Sequence, residues 1–158
     1  MPIRVSRVTK GMKAPDFCLP DQEGNMLSLA DFKGKKIALF FYPKDDTPTC
    51  TVEACNLRDN YSLLKRKGIV VLGMSKDPVK SHTKFAKKFS LPFPLLSDEE
   101  GNTLIEYDVY REKILYGGKY MGIYRTTFLI EEKGKILEVI TDVDSKDHAQ
   151  QIMDLLKK

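Results

Sequence analysis

Two cysteines five positions apart, Cys50 and Cys55, are the residues of this sequence best suited to carry out chemistry. They follow an apolar run at 37–42, and Thr47 and Pro48 come shortly before Cys50. Threonine is a common N-cap and proline a common first helical residue, so a helix should begin at Pro48, with the Thr47 hydroxyl accepting a bond from an early amide. Cys50 then lies in the first turn, where amides and the helix dipole stabilise a thiolate, the nucleophilic form of cysteine.

The spacing of these two cysteines limits the bonds that they can form. In an unbroken helix, residues five apart have Cα atoms roughly 8–9 Å apart and point about 140° away from each other. A disulfide needs Cα atoms within about 7 Å. A bond between Cys50 and Cys55 therefore requires the first turns of the helix to unwind. Without such chemistry, Cys50 would be a packed small residue and Cys55 an unrelated cysteine on a half-buried face.

Other uses of cysteine fit the sequence less well. A zinc site needs about four N or S ligands at metal-binding spacings, which His82 and His148 do not complete with the cysteines. A disulfide exchanger of the thioredoxin type uses Cys-x-x-Cys at such a corner, whereas this chain has Cys-x4-Cys. The third cysteine, Cys18, is expected to be a packed small residue, with an auxiliary thiol as the alternative.

The hydrophobic pattern predicts the elements that position these residues. Continuous apolar runs predict buried strands at 37–42 and 69–74, and two further runs predict a hairpin with strands at 127–130 and 136–140. Apolar stripes at helical spacing predict helices over 54–64, 79–89 and 149–156, and a short helix over 99–107. Strands that alternate with helices indicate an α/β fold, a mixed central sheet flanked by helices. We expect residues 111–124 to form a long loop.

Length and composition narrow the classes of protein. The 158 residues, 42% hydrophobic and 30% charged, predict one globular domain over 1–158 rather than a disordered or fibrous chain. A net charge of +4 does not indicate a nucleic-acid partner, and three cysteines do not suit a disulfide-stapled secreted scaffold. The N-terminus has no apolar signal sequence and the chain no membrane-length apolar stretch, so a cytoplasmic protein without a membrane partner is expected.

Several segments resemble a known family. The stretch Pro43-Lys-Asp-Asp-Thr47-Pro-Thr-Cys50 resembles the Pro-x-x-x-Thr-x-x-Cys signature of the peroxiredoxins, and Cys50-x4-Cys55 resembles the peroxiredoxin Q or bacterioferritin comigratory protein subfamily. The resemblance extends to residues 14–17, 19–22, 97–98 and 120–130. It implies a thioredoxin-like fold with an N-terminal extension and an antioxidant thiol peroxidase that reduces hydrogen peroxide and organic hydroperoxides.

The resemblance also implies roles for individual residues. Cys50 would be the peroxidatic cysteine and Cys55 the resolving cysteine. The Thr47 hydroxyl would hydrogen-bond the thiolate and the peroxide, Pro43 would shield the pocket from water, and Arg125 would place a fixed positive charge beside the sulfur. Thioredoxin or a glutaredoxin-like dithiol would reduce the enzyme, with no cofactor and no metal. We expect a monomer, with a weak dimer as the alternative.

The chain departs from the family pattern at three positions. Thr49 stands where glycine is usual, Tyr124 where an acidic residue is common, and Cys18 where threonine is usual. Thr49 restricts the backbone beside the nucleophile, and Tyr124 changes the charge near Arg125.

Three other residues receive simpler interpretations. Glu53 is expected to pair with Arg125 or Arg58. His82 lies on an apolar helical stripe and is given no role, and His148, near the start of the last helix, is expected to be solvated.

Two other functions remain open from the residues alone. A protein disulfide exchanger would reduce insulin without a preference for peroxide. A redox-sensing binding module would be oxidised stoichiometrically, without catalytic recycling by a thiol reductant.

Overall fold

The computed structural model describes residues 7–157. The strands are β1 (Cys18–Pro20), β2 (Met26–Ser28), β3 (Lys36–Phe41), β4 (Ile69–Ser75), β5 (Leu95–Ser97), β6 (Tyr110–Leu115), β7 (Gly118–Ile123), β8 (Thr126–Ile130) and β9 (Ile136–Ile140). The α-helices are α1 (Pro48–Asp59), α2 (Tyr61–Arg66), α3 (Val79–Phe89), α4 (Asn102–Glu106) and α5 (His148–Leu156), and a 3₁₀ helix covers Leu29–Phe32. None of these helices is both long and apolar enough to cross a membrane.

The central sheet has five strands in the order β5-β4-β3-β8-β9. Strands β3, β4 and β5 are parallel, β8 runs antiparallel to β3, and β9 runs antiparallel to β8. The predicted α/β class with a mixed central sheet is therefore confirmed. The carboxyl ends of β3, β4 and β5 meet at one edge of the sheet, where open α/β sheets bind ligands.

The middle strand, β3, separates two hydrophobic clusters. Ala38 and Phe40 belong to the cluster that contains the apolar faces of α1, α2, α3 and α5. Leu39 and Phe41 belong to the cluster on the other face, with α4 and the N-terminal segment. Because side chains alternate between the faces of a strand, burial of both faces produces the continuous apolar run that predicted this strand.

The predicted helices agree with the structure in position, with two differences in extent. α3 covers 79–89 as predicted, and α5 begins one residue before the predicted stripe at 149–156. The helix expected over 54–64 is two helices, because α1 ends at Asp59 and α2 starts at Tyr61. The side chain of Asn60, between them, donates to the Asn56 carbonyl at 2.9 Å. The helix expected over 99–107 is limited to α4.

The expectation of a loop over 111–124 is wrong, because β6 and β7 form an antiparallel hairpin there. Tyr116 and Gly117 join the two strands, and both have positive φ, 51° and 78°. Two-residue hairpin turns with positive φ at both positions usually contain Asn-Gly or Asp-Gly, so tyrosine gave no turn signal. The hairpin is also largely exposed and lacks the apolar alternation of a core strand.

Gly73 in β4 has no room for a side chain. A Cβ there would lie 2.8 Å from Phe40 Cζ and 2.9 Å from Leu95 Cδ2, both in the buried core. We expect Gly73→Ala to lower the free energy of unfolding by about 1–3 kcal/mol, the usual cost of overpacking a core. Urea unfolding followed by circular dichroism would measure the loss. Gly118→Ala, where the nearest atom is 3.5 Å away, is the matched control and should change stability by less than about 0.5 kcal/mol. Equal losses in the two variants would contradict the overpacking argument.

Candidate active site

Cys50 lies in the first turn of α1, directly after the carboxyl end of β3. Thr47 is the N-cap residue and Pro48 the first residue of the helix, in the predicted register. The Cys50 side chain is buried, with 2% of its surface exposed. The fold therefore places one thiol at a helix N-terminus on the ligand-binding edge of the sheet.

Arg125, between β7 and β8, bridges the sulfur and a carboxylate. One guanidinium nitrogen donates to Cys50 Sγ at 3.2 Å, and the other donates to Glu53 Oε1 at 2.7 Å. Cys50 and Glu53 are three residues apart on α1, so both project from the same face of the helix. Glu53 thus pairs with Arg125 and not with Arg58, which donates to the Phe89 carbonyl and pairs with its neighbour on α1.

The Glu53 carboxyl group beneath Arg125 is completely buried, and so is the side chain of His148 beyond it. Burial raises the pKa of Glu53 to about 7, although the nearby Arg125 charge acts in the opposite direction. The expectation that His148 is solvated is wrong, because α5 packs on α1 and directs this first helical residue toward Thr127 of β8. Burial lowers the pKa of His148 to about 4.

The loop before α1 carries the other residues that the resemblance singled out. Thr47 is half-buried, and its hydroxyl donates to the Lys44 carbonyl at 2.9 Å. The predicted capping bond to an amide is therefore wrong, because the hydroxyl closes the loop behind it instead. Asp46 has a φ of 58°, which allows the tight turn between Lys44 and Thr47. Pro43 is exposed and follows the buried Tyr42.

A buried carboxylate, Asp45, ties this loop to the elements behind it. Asp45 Oδ1 accepts from the Tyr42 hydroxyl at 2.6 Å, and Oδ2 accepts from the Ser81 hydroxyl at 2.8 Å. His82 Nδ1 lies 2.7 Å from the same Oδ2. The Asp45 amide donates to Asp77 Oδ2, after β4, at 2.8 Å. Burial, reinforced by the Asp45 carboxylate, keeps the pKa of Tyr42 well above its ordinary value, so the phenol remains a donor.

His82 connects this network to β5, although the sequence gave it no role. Its Nε2 lies 3.0 Å from the Leu96 carbonyl, which can only accept, so Nε2 carries a proton. In the described part of the chain, Asp45, Asp77 and His82 also form a group with metal-ligand geometry. Their ligating atoms already hydrogen-bond with one another or with neighbouring hydroxyl and amide groups, so the network is complete without an ion. Since Asp45 and His82 are 37 residues apart, no local pattern could reveal the pair.

The three cysteines are unbonded and differ in exposure. Cys55 is half-buried on the same continuous helix as Cys50, so the two thiols remain separated by helix geometry. The interpretation of Cys18 as a packed residue is wrong. It is exposed at the start of β1, in a two-stranded sheet outside the central one.

The β6–β7 hairpin brings further positive charge to the edge of the site. The Tyr124 ring lies under two cations, with Arg111 Cζ 4.2 Å and Lys113 Nζ 4.9 Å from its centroid. Burial and the Arg125 charge lower the pKa of Lys113. At position 124 this chain therefore has an aromatic ring that holds cations without neutralising them. Sequence reasoning missed this contact because it treated the hairpin as a loop.

Together, the sheet topology and the buried cysteine under an arginine define a thioredoxin-like α/β protein with a buried thiol at a helix N-terminus. Comparisons with known proteins assign it more closely. The AhpC/TSA family model matches residues 10–139. Peroxiredoxin Bcp of Escherichia coli is 44% identical over 145 residues, which cover 92% of this chain and 93% of that protein.

Solved structures agree with that assignment. A variant of Xylella fastidiosa peroxiredoxin Q superposes with a TM-score of 0.90 at 31% identity, covering 97% of this chain and 98% of that one. Xanthomonas campestris bacterioferritin comigratory protein, studied for its alkyl peroxide reduction activity, gives 0.84 at 33% identity over 89% of this chain and 90% of that one. The chain belongs to the AhpC/TSA family and, within it, to the Bcp or Q peroxiredoxins, which makes it a thiol peroxidase. The resemblance and the thioredoxin-like fold predicted from sequence are confirmed.

The Asp45–His82 pair predicts a large effect of one buried substitution. His82→Leu leaves the buried Asp45 carboxylate without its main partner, so we expect a loss of about 3–5 kcal/mol in the free energy of unfolding. Urea unfolding at neutral pH would measure it. Lys88→Ala is the matched control, because Lys88 also lies on α3 and pairs with the adjacent Asp46, but at the surface. It should cost less than about 1 kcal/mol. Equal losses would show that the buried pair does not anchor the loop.

Proposed function

We propose that Cys50 is the peroxidatic cysteine of this enzyme and Cys55 its resolving cysteine. The observation that carries the proposal is the contact between Arg125 and the buried Cys50 sulfur at a helix N-terminus, at 3.2 Å. A guanidinium stays charged at any working pH and offers several donors. It therefore favours the thiolate and faces the place where a bound peroxide would gain negative charge.

In the first step, the Cys50 thiolate attacks one oxygen of a hydroperoxide. A sulfur–oxygen bond forms, the O–O bond breaks, and the leaving oxygen departs with the bonding electrons and takes up a proton as water or an alcohol. Sulfur is oxidised to a sulfenic acid and the peroxide is reduced. Donors already in place for the leaving oxygen lower the barrier, because they need no reorganisation.

Thr47 and Pro43 would complete the pocket. The Thr47 hydroxyl is three residues before Cys50, and in the structure it donates to Lys44. A rotation of this hydroxyl would turn its proton toward the sulfur or the peroxide. Pro43 lies at the surface of the same loop, where its ring would limit the access of water.

In the second step, Cys55 resolves the sulfenic acid. The first turns of α1 unwind, the Cys55 sulfur attacks the Cys50 sulfur, the S–S bond forms, and the sulfenic oxygen leaves as water. Thr49 and Val52 in these turns are exposed, whereas Cys50, Glu53 and Ala54 are buried, so unwinding has to take these three residues out of the core.

A separate dithiol protein would return the enzyme to its reduced form and complete the catalytic cycle. Thioredoxin or a glutaredoxin-like protein reduces the Cys50–Cys55 disulfide by exchange and leaves as a disulfide itself. The enzyme would then act on hydrogen peroxide and organic hydroperoxides as a cytoplasmic, monomeric antioxidant that needs no cofactor.

Thiol counting tests the assignment of the two cysteines. One equivalent of hydrogen peroxide should remove two of the three titratable thiols of the denatured protein without a cross-linked dimer. Peptide mass mapping should locate the disulfide at Cys50–Cys55. Cys18→Ser is the matched control and should still lose two thiols.

Three outcomes would overturn the assignment. Peroxidase turnover in Cys50→Ser would exclude Cys50 as the nucleophile, and a Cys18–Cys50 or interchain bond would exclude Cys55 as the resolving residue. Insulin reduction without a preference for peroxide would indicate a disulfide exchanger instead.

Arg125→Lys tests whether the bridging geometry matters beyond charge. A lysine keeps the positive charge, but its single nitrogen cannot reproduce the two-nitrogen bridge between Cys50 and Glu53. We expect kcat/KM for hydrogen peroxide to fall by about 10²–10³-fold, the usual effect of losing one preorganised donor. Arg66→Lys, at the exposed end of α2, is the matched control and should leave kcat/KM unchanged. Full activity of Arg125→Lys would show that charge alone suffices.

A further inference from the structure

One oxygen of the active-site carboxylate has no hydrogen-bond partner. Glu53 Oε1 accepts from Arg125, but Oε2 is buried and unpartnered within residues 7–157. A buried carboxylate oxygen without a donor carries the full cost of its lost hydration. Such atoms are rare in folded proteins, so this one calls for a physical explanation.

His148 is an ionisable group close to this oxygen, with its Nε2 3.6 Å from Glu53 Oε2. The hydrogen bonds around His148 determine which ring nitrogen carries its proton. Nδ1 lies 2.8 Å from Gln151 Oε1, and the Gln151 amide nitrogen donates to the Asp142 carbonyl. Gln151 therefore presents its oxygen to Nδ1, which must donate. Nε2 is then a bare nitrogen that accepts from the Thr127 hydroxyl at 2.7 Å.

Two buried acceptors, Glu53 Oε2 and His148 Nε2, thus lie 3.6 Å apart. The Thr127 hydroxyl satisfies Nε2 in the structure, so a proton placed between the two atoms competes with that hydroxyl. The proton can lie on Glu53 and point toward Nε2, or on Nε2 and point toward Oε2, and in either case the Thr127 hydroxyl no longer donates to Nε2. Burial disfavours both the carboxylate and the imidazolium, so the neutral pair with the proton on Glu53 is the stable arrangement.

Other charged groups also face this pair. Arg125 and the Cys50 sulfur adjoin Glu53, and Arg125 also repels a proton on His148. The Asp144 carboxylate, before α5, favours a proton on His148, and Lys113 of β6 adds positive charge near Arg125 and Cys50. The pKa of Glu53 is raised to about 7 in this setting, and that of His148 is lowered to about 4.

We propose that Glu53 and His148 hold one shared proton, and that this proton controls how much of the Arg125 charge acts on the Cys50 sulfur. When the proton is bound, Glu53 is neutral and the Arg125 charge is directed to the sulfur. When it is lost, the Glu53 carboxylate neutralises Arg125 and the thiolate is stabilised less. His148 is then a positioning residue for the reaction, acting through Glu53. The inference deepens the proposed function and depends on it.

Two substitutions should move the Glu53 titration in opposite directions. His148→Gln supplies an amide donor to Oε2, which favours the carboxylate and should lower the titration midpoint by at least about one pH unit, a tenfold change in proton affinity. Thr127→Val removes the hydroxyl that occupies Nε2, which leaves the nitrogen free to accept from neutral Glu53 and should raise the midpoint. Gln150→Ala, on the exposed face of α5, should leave the midpoint near pH 7.

The experiment reads the carboxyl group and the sulfur separately. Carboxyl ¹³C NMR, with Glu53→Gln to assign the signal, gives the Glu53 midpoint in each variant. The rate of Cys50 alkylation by iodoacetamide across pH 5–9, resolved by peptide mass, shows when the sulfur changes its reactivity. We expect the rate of Cys50 alkylation to change at the pH of the Glu53 midpoint. Within each variant, His148→Gln or Thr127→Val, the alkylation profile and the Glu53 midpoint should be displaced together and by the same amount.

Three results would overturn the inference. They are a wild-type Glu53 midpoint near the ordinary value of 4.5, a midpoint that neither substitution moves, and an alkylation profile that stays in place while the midpoint moves. None of them depends on peroxide. Peroxide-driven disulfide mapping therefore tests the proposed function separately, and if His148→Gln does not fold, Thr127→Val alone still decides the question.

Discussion

The site depends on a buried bridge in which Arg125 connects the Cys50 sulfur to the Glu53 carboxyl group. Removing a charged group from water costs several kcal/mol, so the Arg125 guanidinium needs these partners. The guanidinium makes the arrangement possible because it donates to two acceptors at once from a planar group. The strand connection that carries Arg125 and the helix face that carries Cys50 and Glu53 must therefore come together for the bridge to form.

The elements around the bridge hold it from several sides. Asp45 and His82 attach the loop before α1 to α3, and through the Leu96 carbonyl to β5. At the other end of the site, Asn56 accepts from the Ala149 amide and so joins α1 to the start of α5. These contacts place His148 beneath Glu53. The candidate catalytic cysteine and Glu53 belong to a short stretch of α1, but the position of that stretch is set by polar groups distant in sequence.

Much of this arrangement could be predicted from local patterns, and the remainder could not for a physical reason. Three elements have a signal within a few residues of sequence. The strand at 36–41 has a continuous apolar run, the helix at 79–89 has an apolar stripe at helical spacing, and the helix start at Pro48 has an N-cap threonine before it. The partners of His82 and His148 lie on other elements, and their burial follows from a packing that no local pattern specifies. The β6–β7 hairpin escaped prediction for a different reason, since its strands pair with each other and contribute little to the core.

The helix that carries Cys50 at its N-terminus also separates it from Cys55, so the proposed mechanism needs the same element to be stable in one step and to unwind in the next. Different residues hold the two ends of the helix segment that contains Cys50 and Cys55. Asp45 holds the loop before the helix, and Asn56 holds the helix immediately after Cys55, which leaves the turns between them attached to the site through the contacts of Arg125 with Cys50 and Glu53. Thr49 lies in that segment. Because glycine is the weaker helix former by a few tenths of a kcal/mol, threonine favours the wound helix slightly more than glycine would at this position. In the proposed cycle, a Cys50 sulfenic acid no longer carries the thiolate charge that Arg125 would pair with, so the contact that holds the wound helix is weakened at the step that requires unwinding.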